Sequence, residues 1–229
     1  MQAVVLAGGL ATRMRPHTQT LPKSLLPVAG RAFIDWQLER LAQCELRDVV
    51  LCIGHLGRMI REHVGDGARF GMRVRYVEDG PKLLGTAGAL RQALSELEAE
   101  FLVTYGDSYL PFDYGAPLRD LRAHAEAGGT LAVFHNQGRW DRSNVRVSGS
   151  LVAAYEKTAT DPSFDHIDYG ALALRRELVA ALPSDEPMEL SSLQTQLAAS
   201  GELRALIATE RFYEIGSELG LRELEQYLA

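Results

Sequence analysis

Residues 3–9 read Ala-Val-Val-Leu-Ala-Gly-Gly, an apolar run that stops abruptly in paired glycines. A run of this kind is a strand buried on both faces, and buried strands belong to the interior of a sheet with layers on either side. Glycine at the strand end lets backbone N–H groups turn toward a ligand and approach it closely. Thr12, Arg13, Arg15 and Lys23 follow within fifteen residues. Guanidinium and ammonium groups there can neutralise the oxygens of an anion. Two familiar phosphate loops do not fit. No glycine-lysine pair occurs anywhere, which excludes a Walker loop, and Gly-Gly-Leu-Ala-Thr-Arg at 8–13 is not Gly-x-Gly-x-x-Gly. The loop is suited to a polyphosphate held by some other arrangement.

The chain of 229 residues, 46% apolar, has enough material for one large core, so a single domain over 1–229 is expected. Its 24 basic and 30 acidic side chains are mixed along the sequence and sum to −6. That balance lacks the basic footprint of a nucleic-acid binder. Cys44 and Cys52 have no metal-type spacing and fit apolar packing in a reducing compartment. With a strand beginning at residue 3 and no apolar run near the ~18 residues of a membrane span, a soluble, cytoplasmic protein is expected. The choice between a monomer and a homo-oligomer stays open.

Strands and helices alternate through the first half. Strands are expected at Ala3–Ala7, Val49–Ile53, Arg73–Val77, Phe101–Tyr105 and Thr130–Phe134. Helices are expected at Phe33–Cys44, near Gly57–Val64, at Ala87–Glu98 and around Leu118–Ala127. Continuous apolar strands separated by helices indicate a parallel sheet covered on both faces. Ligands of such sheets sit beyond the carboxyl ends of the strands, where loops 8–23 and 106–109 would converge. After Gly138 come shorter β segments (Val145–Val147, Leu151–Tyr155, Ile167–Leu174), helices at Glu177–Leu182 and Leu190–Ser200, a strand at Arg204–Ile207 and a closing helix at Glu218–Leu228.

The segment 6–28 resembles the signature of sugar-1-phosphate nucleotidylyltransferases, Leu-x-Gly-Gly-x-Gly-Thr-Arg-Leu-x-Pro-Leu-Thr followed by Pro-Lys-x-Leu-Leu-Pro-Val. The match runs through Leu6, Gly8, Gly9, Thr12, Arg13, Pro16, Thr18, Pro22, Lys23, Leu25, Pro27 and Val28, with Ala11 in place of the third glycine. The resemblance implies a Rossmann-like three-layer α/β/α nucleotidyltransferase fold of the GT-A type with a mostly parallel central sheet. It implies a nucleotide-binding half over 1–137, a sugar-phosphate half over 138–210, and a metal-carboxylate segment with its closing helix over 211–229. The appended β-helix domain of many relatives is not expected. The combination Tyr-Gly-Asp-Ser, Ile-Asp-Tyr-Gly and Tyr-Glu-Ile-Gly is most similar to heptose 1-phosphate guanylyltransferases. Mannose-1-phosphate guanylyltransferases and N-acetylmuramate 1-phosphate uridylyltransferases are the next in likeness.

The reaction of that family joins a sugar 1-phosphate to the α-phosphorus of a nucleoside triphosphate and expels pyrophosphate. Its attacking phosphate is already ionised, so the difficulty is electrostatic: two polyanions must meet. Such a site needs cations and a carboxylate-held Mg²⁺ in one cleft. The resemblance gives Arg13 the β- and γ-phosphates and Lys23 the α-phosphate, as the catalytic pair. Leu6, Ala7, Gly8, Gly9 and Thr12 would complete the triphosphate loop. Asp107, set just past a strand by Gly106, and Glu214, in the place of a usual aspartate, would hold the metal.

Glu78, Gly85 and Thr86 would face the base and ribose by the same resemblance. A carboxylate at Glu78 can accept from both N1–H and N2–H₂ of guanine, which favours GTP. Asn144, Glu156, Lys157 and Asp168 would take the sugar phosphate, Lys157 on its phosphate and Glu156 on its hydroxyls. Asp168-Tyr169-Gly170 and Ser143-Asn144-Val145 depart from the usual Asn-Ala-Gly and Tyr-Gly-Val, so a glucose or mannose preference does not transfer. Two alternatives stand beside guanylyl transfer. One is uridylyl transfer to N-acetylmuramate or hexose 1-phosphate. The other is a catalytically silent nucleotide-sugar-binding regulator, against which the presence of Arg13, Lys23, Asp107 and Lys157 argues.

Overall fold

The computed structural model describes residues 1–9, 14, 17–80, 84–184 and 186–229. Its strands are β1 (Gln2–Ala7), β2 (Pro27–Val28), β3 (Arg31–Ala32), β4 (Asp48–Ile53), β5 (Arg73–Glu78), β6 (Glu100–Tyr105), β7 (Ser108–Tyr109), β8 (Gly129–His135), β9 (Val145–Ser148), β10 (Leu151–Tyr155), β11 (His166–Arg175), β12 (Leu203–Ala208) and β13 (Tyr213–Glu214). Its helices are α1 (Phe33–Gln43), α2 (Gly57–Val64), α3 (Gly85–Gln92), α4 (Ala116–Ala123), α5 (Arg176–Ala180), α6 (Leu190–Ser200) and α7 (Glu218–Leu228).

Nine strands form one sheet in the order β5-β4-β1-β6-β11-β8-β12-β10-β9. Along β1, Ala3 and Val5 pack on one face with Ile34, Leu38 and Leu41 of α1 and Leu118 and Leu121 of α4. Val4 turns to the other face, among Leu90 of α3, Val179 of α5 and Leu193 of α6. Side chains alternate across a strand, so a strand covered on both faces must be apolar at every position. This is the doubly covered sheet that the alternation of elements predicts and the Rossmann-like α/β/α sandwich that the resemblance implies.

From β5 to β6 every neighbouring pair is parallel. The second half is mixed: β11 inserts antiparallel between β6 and β8, and β8 pairs in parallel with β12. An apolar run reports burial on two faces and not direction, so the antiparallel insertion of β11 left no mark on its pattern. The helix expected over 87–98 begins at Gly85 and ends at Gln92, with a 3₁₀ turn at Leu94–Glu96.

Two short antiparallel strand pairs complete the site region. The β2–β3 turn places Ala29 and Gly30 at φ 48° and 78°, the geometry of a two-residue turn with both central residues left-handed. The β7–β13 pair joins residues a hundred positions apart. It leads into α7, where Ser217 caps the helix by accepting from the Gly220 N–H at 3.0 Å. Val28, Phe33, Ile215 and Leu224 form a small core that fastens α7 and both strand pairs together. Among the described residues no helix is long and apolar enough to cross a membrane.

Candidate active site

A cavity of about 600 Å³ opens beyond the carboxyl ends of the parallel strands. Leu6, Ala7, Gly8 and Gly9 form one wall and Tyr105, Gly106 and Asp107 another. Both walls depend on missing side chains. A Cβ on Gly106 would stand 2.8 Å from the Ala7 Cβ, so only glycine lets the end of β6 lie against β1. A Cβ on Gly8 would stand 2.3 Å from Asp79 Oδ2. The space is taken instead by that carboxylate, wedged between the ends of β1 and β4. Burial pushes the Asp79 carboxyl above its usual range.

Lys23 and Asp107 meet at the mouth of this cavity. Pro22, extended at φ −65° and ψ 144°, leads into a single 3₁₀ turn at Lys23–Leu25. The turn aims the Lys23 ammonium at Asp107 Oδ2, 2.7 Å away. Antiparallel pairing sets Glu214 opposite Ser108, and the Ile215 N–H donates to the Asp107 carbonyl at 3.0 Å. The late-chain carboxylate is thereby drawn beside the mid-chain one. Gly216 keeps the space between Glu214 and Lys23 clear: a Cβ there would lie 3.2 Å from Glu214 Oε2 and 3.3 Å from Lys23 Nζ.

Asp107 on the cavity wall, with Glu214 paired beside it but outside that wall, suits a hard divalent cation at the cavity mouth. Among the described residues no group of three or more His, Cys, Asp or Glu side chains gathers around one point. A cation held by two carboxylates alone must take its remaining ligands from water and substrate phosphates, which is the habit of Mg²⁺. The donor set therefore fits.

A second cavity of about 210 Å³ adjoins the first and shares Thr86, Tyr105 and Glu189 with it. Tyr155, Lys157 and Ser191 complete its wall. The two sides of the large cavity are stitched by the segment 187–189. Gly85, at φ +73°, passes so close that a Cβ would meet the Met188 carbonyl at 2.6 Å. The Ala87 N–H donates to that carbonyl at 2.9 Å, and the Leu190 N–H donates to Thr86 Oγ1 at 2.7 Å.

Of the residues expected from sequence, Leu6, Ala7, Gly8, Gly9, Lys23, Gly85, Thr86 and Asp107 line the large cavity, and Lys157 lines the small one. Thr12 and Arg13, like Ala11 and Arg15, lie outside the described residues. Others are placed differently. Glu78 is turned outward and pairs with Arg61 at 2.7 Å, and its neighbour Asp79 faces the cavity. A period-two strand makes consecutive side chains point oppositely, so a one-residue step exchanges wall for surface. Asn144 accepts from the Asp168 N–H at 2.8 Å. The Asp168 carboxylate accepts from the Tyr155 hydroxyl at 3.0 Å, from Gln194 Nε2 at 2.7 Å and from the Gly170 N–H at 2.9 Å. Both are occupied in bracing β10, β11 and α6, and burial raises the Asp168 carboxyl despite those donors. Glu156 is exposed and stands outside the cavity wall. Asp79 and Pro187–Glu189 are wall residues that no local motif announces.

The chain belongs to the nucleotidyl transferase family, whose sequence pattern matches residues 2–142. It is 42% identical over 117 residues to an N-acetylmuramate alpha-1-phosphate uridylyltransferase of Neisseria meningitidis, an alignment covering 51% of each chain. It is 31% identical to a D-glycero-alpha-D-manno-heptose 1-phosphate guanylyltransferase of Campylobacter jejuni, over 94% of this chain and 95% of that one. The chain spans about half the length of most other curated relatives it matches. Among solved structures, HddC from Yersinia pseudotuberculosis complexed with GMP-PN superposes with a TM-score of 0.81 at 19% identity. That superposition covers 100% of this chain and 99% of that one, and at this identity it speaks for the fold.

Proposed function

We propose that the protein is an Mg²⁺-dependent nucleotidylyltransferase that joins a sugar 1-phosphate to a nucleoside triphosphate, with GTP favoured, to give a nucleotide sugar and pyrophosphate. The observation that carries this reading is the approach of Lys23 and Asp107 to 2.7 Å, with Glu214 paired alongside, at the mouth of a glycine-walled cavity.

On this reading, backbone N–H groups of the Gly8–Gly9 loop, with Thr12 and Arg13, hold the β- and γ-phosphates. Lys23 lies against the α-phosphate, where its ammonium offsets the charge that gathers as the new bond forms. Lys157 holds the sugar phosphate in the adjoining cavity and orients its oxygen toward the α-phosphorus. Asp107 and Glu214 would hold a divalent cation, which would supply charge neutralisation for the phosphates. Gly85 and Thr86 face the ribose and base. The carboxylate available to a guanine edge at the ends of β4 and β5 is Asp79, an acceptor for N1–H and N2–H₂. The likeness to the C. jejuni heptose 1-phosphate guanylyltransferase along almost the full chain agrees with guanylyl transfer.

Uridylyl transfer to N-acetylmuramate 1-phosphate is the second reading, favoured by the 42% identity to the Neisseria relative. Pyrophosphate release measured for five nucleoside triphosphates against a panel of sugar 1-phosphates, with and without Mg²⁺, separates the two. The panel also tests for a regulator that binds nucleotide without turnover. The expected result is metal-dependent release, fastest with GTP and a neutral sugar 1-phosphate. No release from any pair refutes the enzyme.

A further inference from the structure

Glu189 stands on the wall shared by the two cavities. Its Oε2 accepts from Thr86 Oγ1 at 3.2 Å and lies 3.7 Å from Lys157 Nζ. Its Oε1 lies 2.9 Å from the point where a Gly85 Cβ would be, a place that only glycine leaves free. Its backbone is held on both sides, by the Met188 N–H donating to the Leu84 carbonyl at 2.8 Å and by the Leu190 N–H on Thr86. The half-exposed carboxylate is thus tethered by Thr86 and Lys157 on a backbone held at both ends.

We infer that Glu189 is a specificity-determining residue that admits sugar 1-phosphates whose rings are uncharged and rejects those bearing a carboxylate. The inference rests on the nucleotidylyl-transfer reading, with the sugar in the smaller cavity. Glu189 is the one carboxylate on the wall of that cavity, and Lys157 is its one cation, among the described residues. Tyr155 spends its hydroxyl proton on Asp168. The wall thus offers one cation, which the 1-phosphate requires, and, beside neutral hydroxyls, one carboxylate that accepts from a hydroxyl donor. A hydroxyl of a neutral sugar donates to the Glu189 carboxylate. A second anion on the ring finds no free cation, cannot donate, and meets a tethered like charge in a partly desolvated cleft. Rejection of this kind discriminates more strongly than loss of a methylene contact, because it leaves charge uncompensated.

The test compares kcat/KM for matched neutral and carboxylate-bearing substrates in wild type and in Glu189→Gln. Glucose 1-phosphate is set against glucuronate 1-phosphate, and N-acetylglucosamine 1-phosphate against N-acetylmuramate 1-phosphate, each with GTP and with UTP. Glutamine keeps the shape and an acceptor for Thr86 and removes the charge, and turnover of the neutral partner reports that the variant is folded. The expected result is a ratio of anionic to neutral kcat/KM that rises at least fivefold in Glu189→Gln. A smaller rise, with wild type active, overturns the role of Glu189 alone. Wild type that prefers the carboxylate-bearing partner overturns it equally. Wild type inactive on every pair overturns the nucleotidylyl-transfer reading and this inference with it.

Discussion

Lys23 Nζ donates to Asp107 Oδ2 across 2.7 Å, although the two residues are assigned to opposite charges: the ammonium to phosphate and the carboxylate to a cation. Without ligands each is the other's counter-ion, which keeps a charged cavity from holding bare charges. On the proposed function, phosphate would replace Asp107 as the partner of Lys23, and a cation would replace Lys23 as the partner of Asp107. Lys23→Ala is expected to lower kcat about 100-fold or more, the scale for removing one preorganised donor from developing charge. The pair is partly solvated, so thermal stability should move by less than about 1 kcal/mol. Steady-state pyrophosphate release and a urea titration of the same preparation check both halves. A variant with kcat near wild type would remove Lys23 from the reaction.

The β7–β13 pairing brings Glu214 beside Asp107, and Gly216 leaves the gap between Glu214 and Lys23 open. Glu214→Gln keeps the shape and removes one of two anionic ligands. The Mg²⁺ concentration for half-maximal rate should rise about tenfold or more, since affinity in such sites follows ligand charge. Gly216→Ala puts a methyl 3.2 Å from the carboxylate and should shift the same midpoint in the same direction. Titration of Mn²⁺ by paramagnetic broadening gives the binding constant without turnover. Unaltered Mn²⁺ affinity in both variants would contradict a metal at this place.

The contrast between Lys23 and Glu189 shows what was legible in the sequence. Lys23 lies in a motif whose parts are neighbours in the chain, and β1, β4 and β6 declare themselves because burial on both faces demands apolar side chains throughout. Glu189 acquires its position from Gly85 and Thr86, a hundred residues earlier, through backbone contacts with no periodicity. The β7–β13 pair has two residues per strand, too few to show alternation. Asp79 and Glu78 are indistinguishable as a dipeptide. Their opposite fates follow from which one the register of β5 against β4 turns inward. Asn144 and Asp168 carry the chemistry of ligand-binding groups, yet the fold uses them as internal braces.

Cys52 gives a prediction in pH. Burial, with the nearby Asp79 charge adding to it, pushes its thiol up to about 12. The thiol of the unfolded chain titrates near ~8.5. A folded pKa raised above the unfolded one means the native state favours the protonated thiol. The associated stability is complete below the unfolded value and is lost as pH climbs from there toward about 12. Within that window wild type should lose up to about 1.4 kcal/mol per pH unit more than Cys52→Ala. Urea unfolding of both proteins at pH 8, 9 and 10 measures it. Parallel curves for the two proteins would show that the thiol ionises freely in the native state.

Gly106 sets the place of Asp107, and its substitution separates packing from chemistry. A Cβ at this position would lie 2.8 Å from the Ala7 Cβ and 3.1 Å from both the Ala7 Cα and the Leu6 carbonyl oxygen. The obstruction includes backbone of the central strand, which cannot rotate aside as the end of a flexible side chain would. The Gly106 N–H also donates to the Leu6 carbonyl at 2.9 Å, so moving one strand end strains the ladder between β1 and β6. Gly106→Ala is therefore expected to cost about 1–3 kcal/mol, the range for overpacking a dense interior. It should also carry Asp107 away from Glu214 and Lys23. Its effect on kcat should exceed the effect on the KM for nucleotide, because the displaced carboxylate serves charge neutralisation and not the base. Denaturant midpoints and initial rates on the purified variant measure the two effects independently. A fully active but destabilised protein would place Asp107 outside the reaction and leave Gly106 a packing residue.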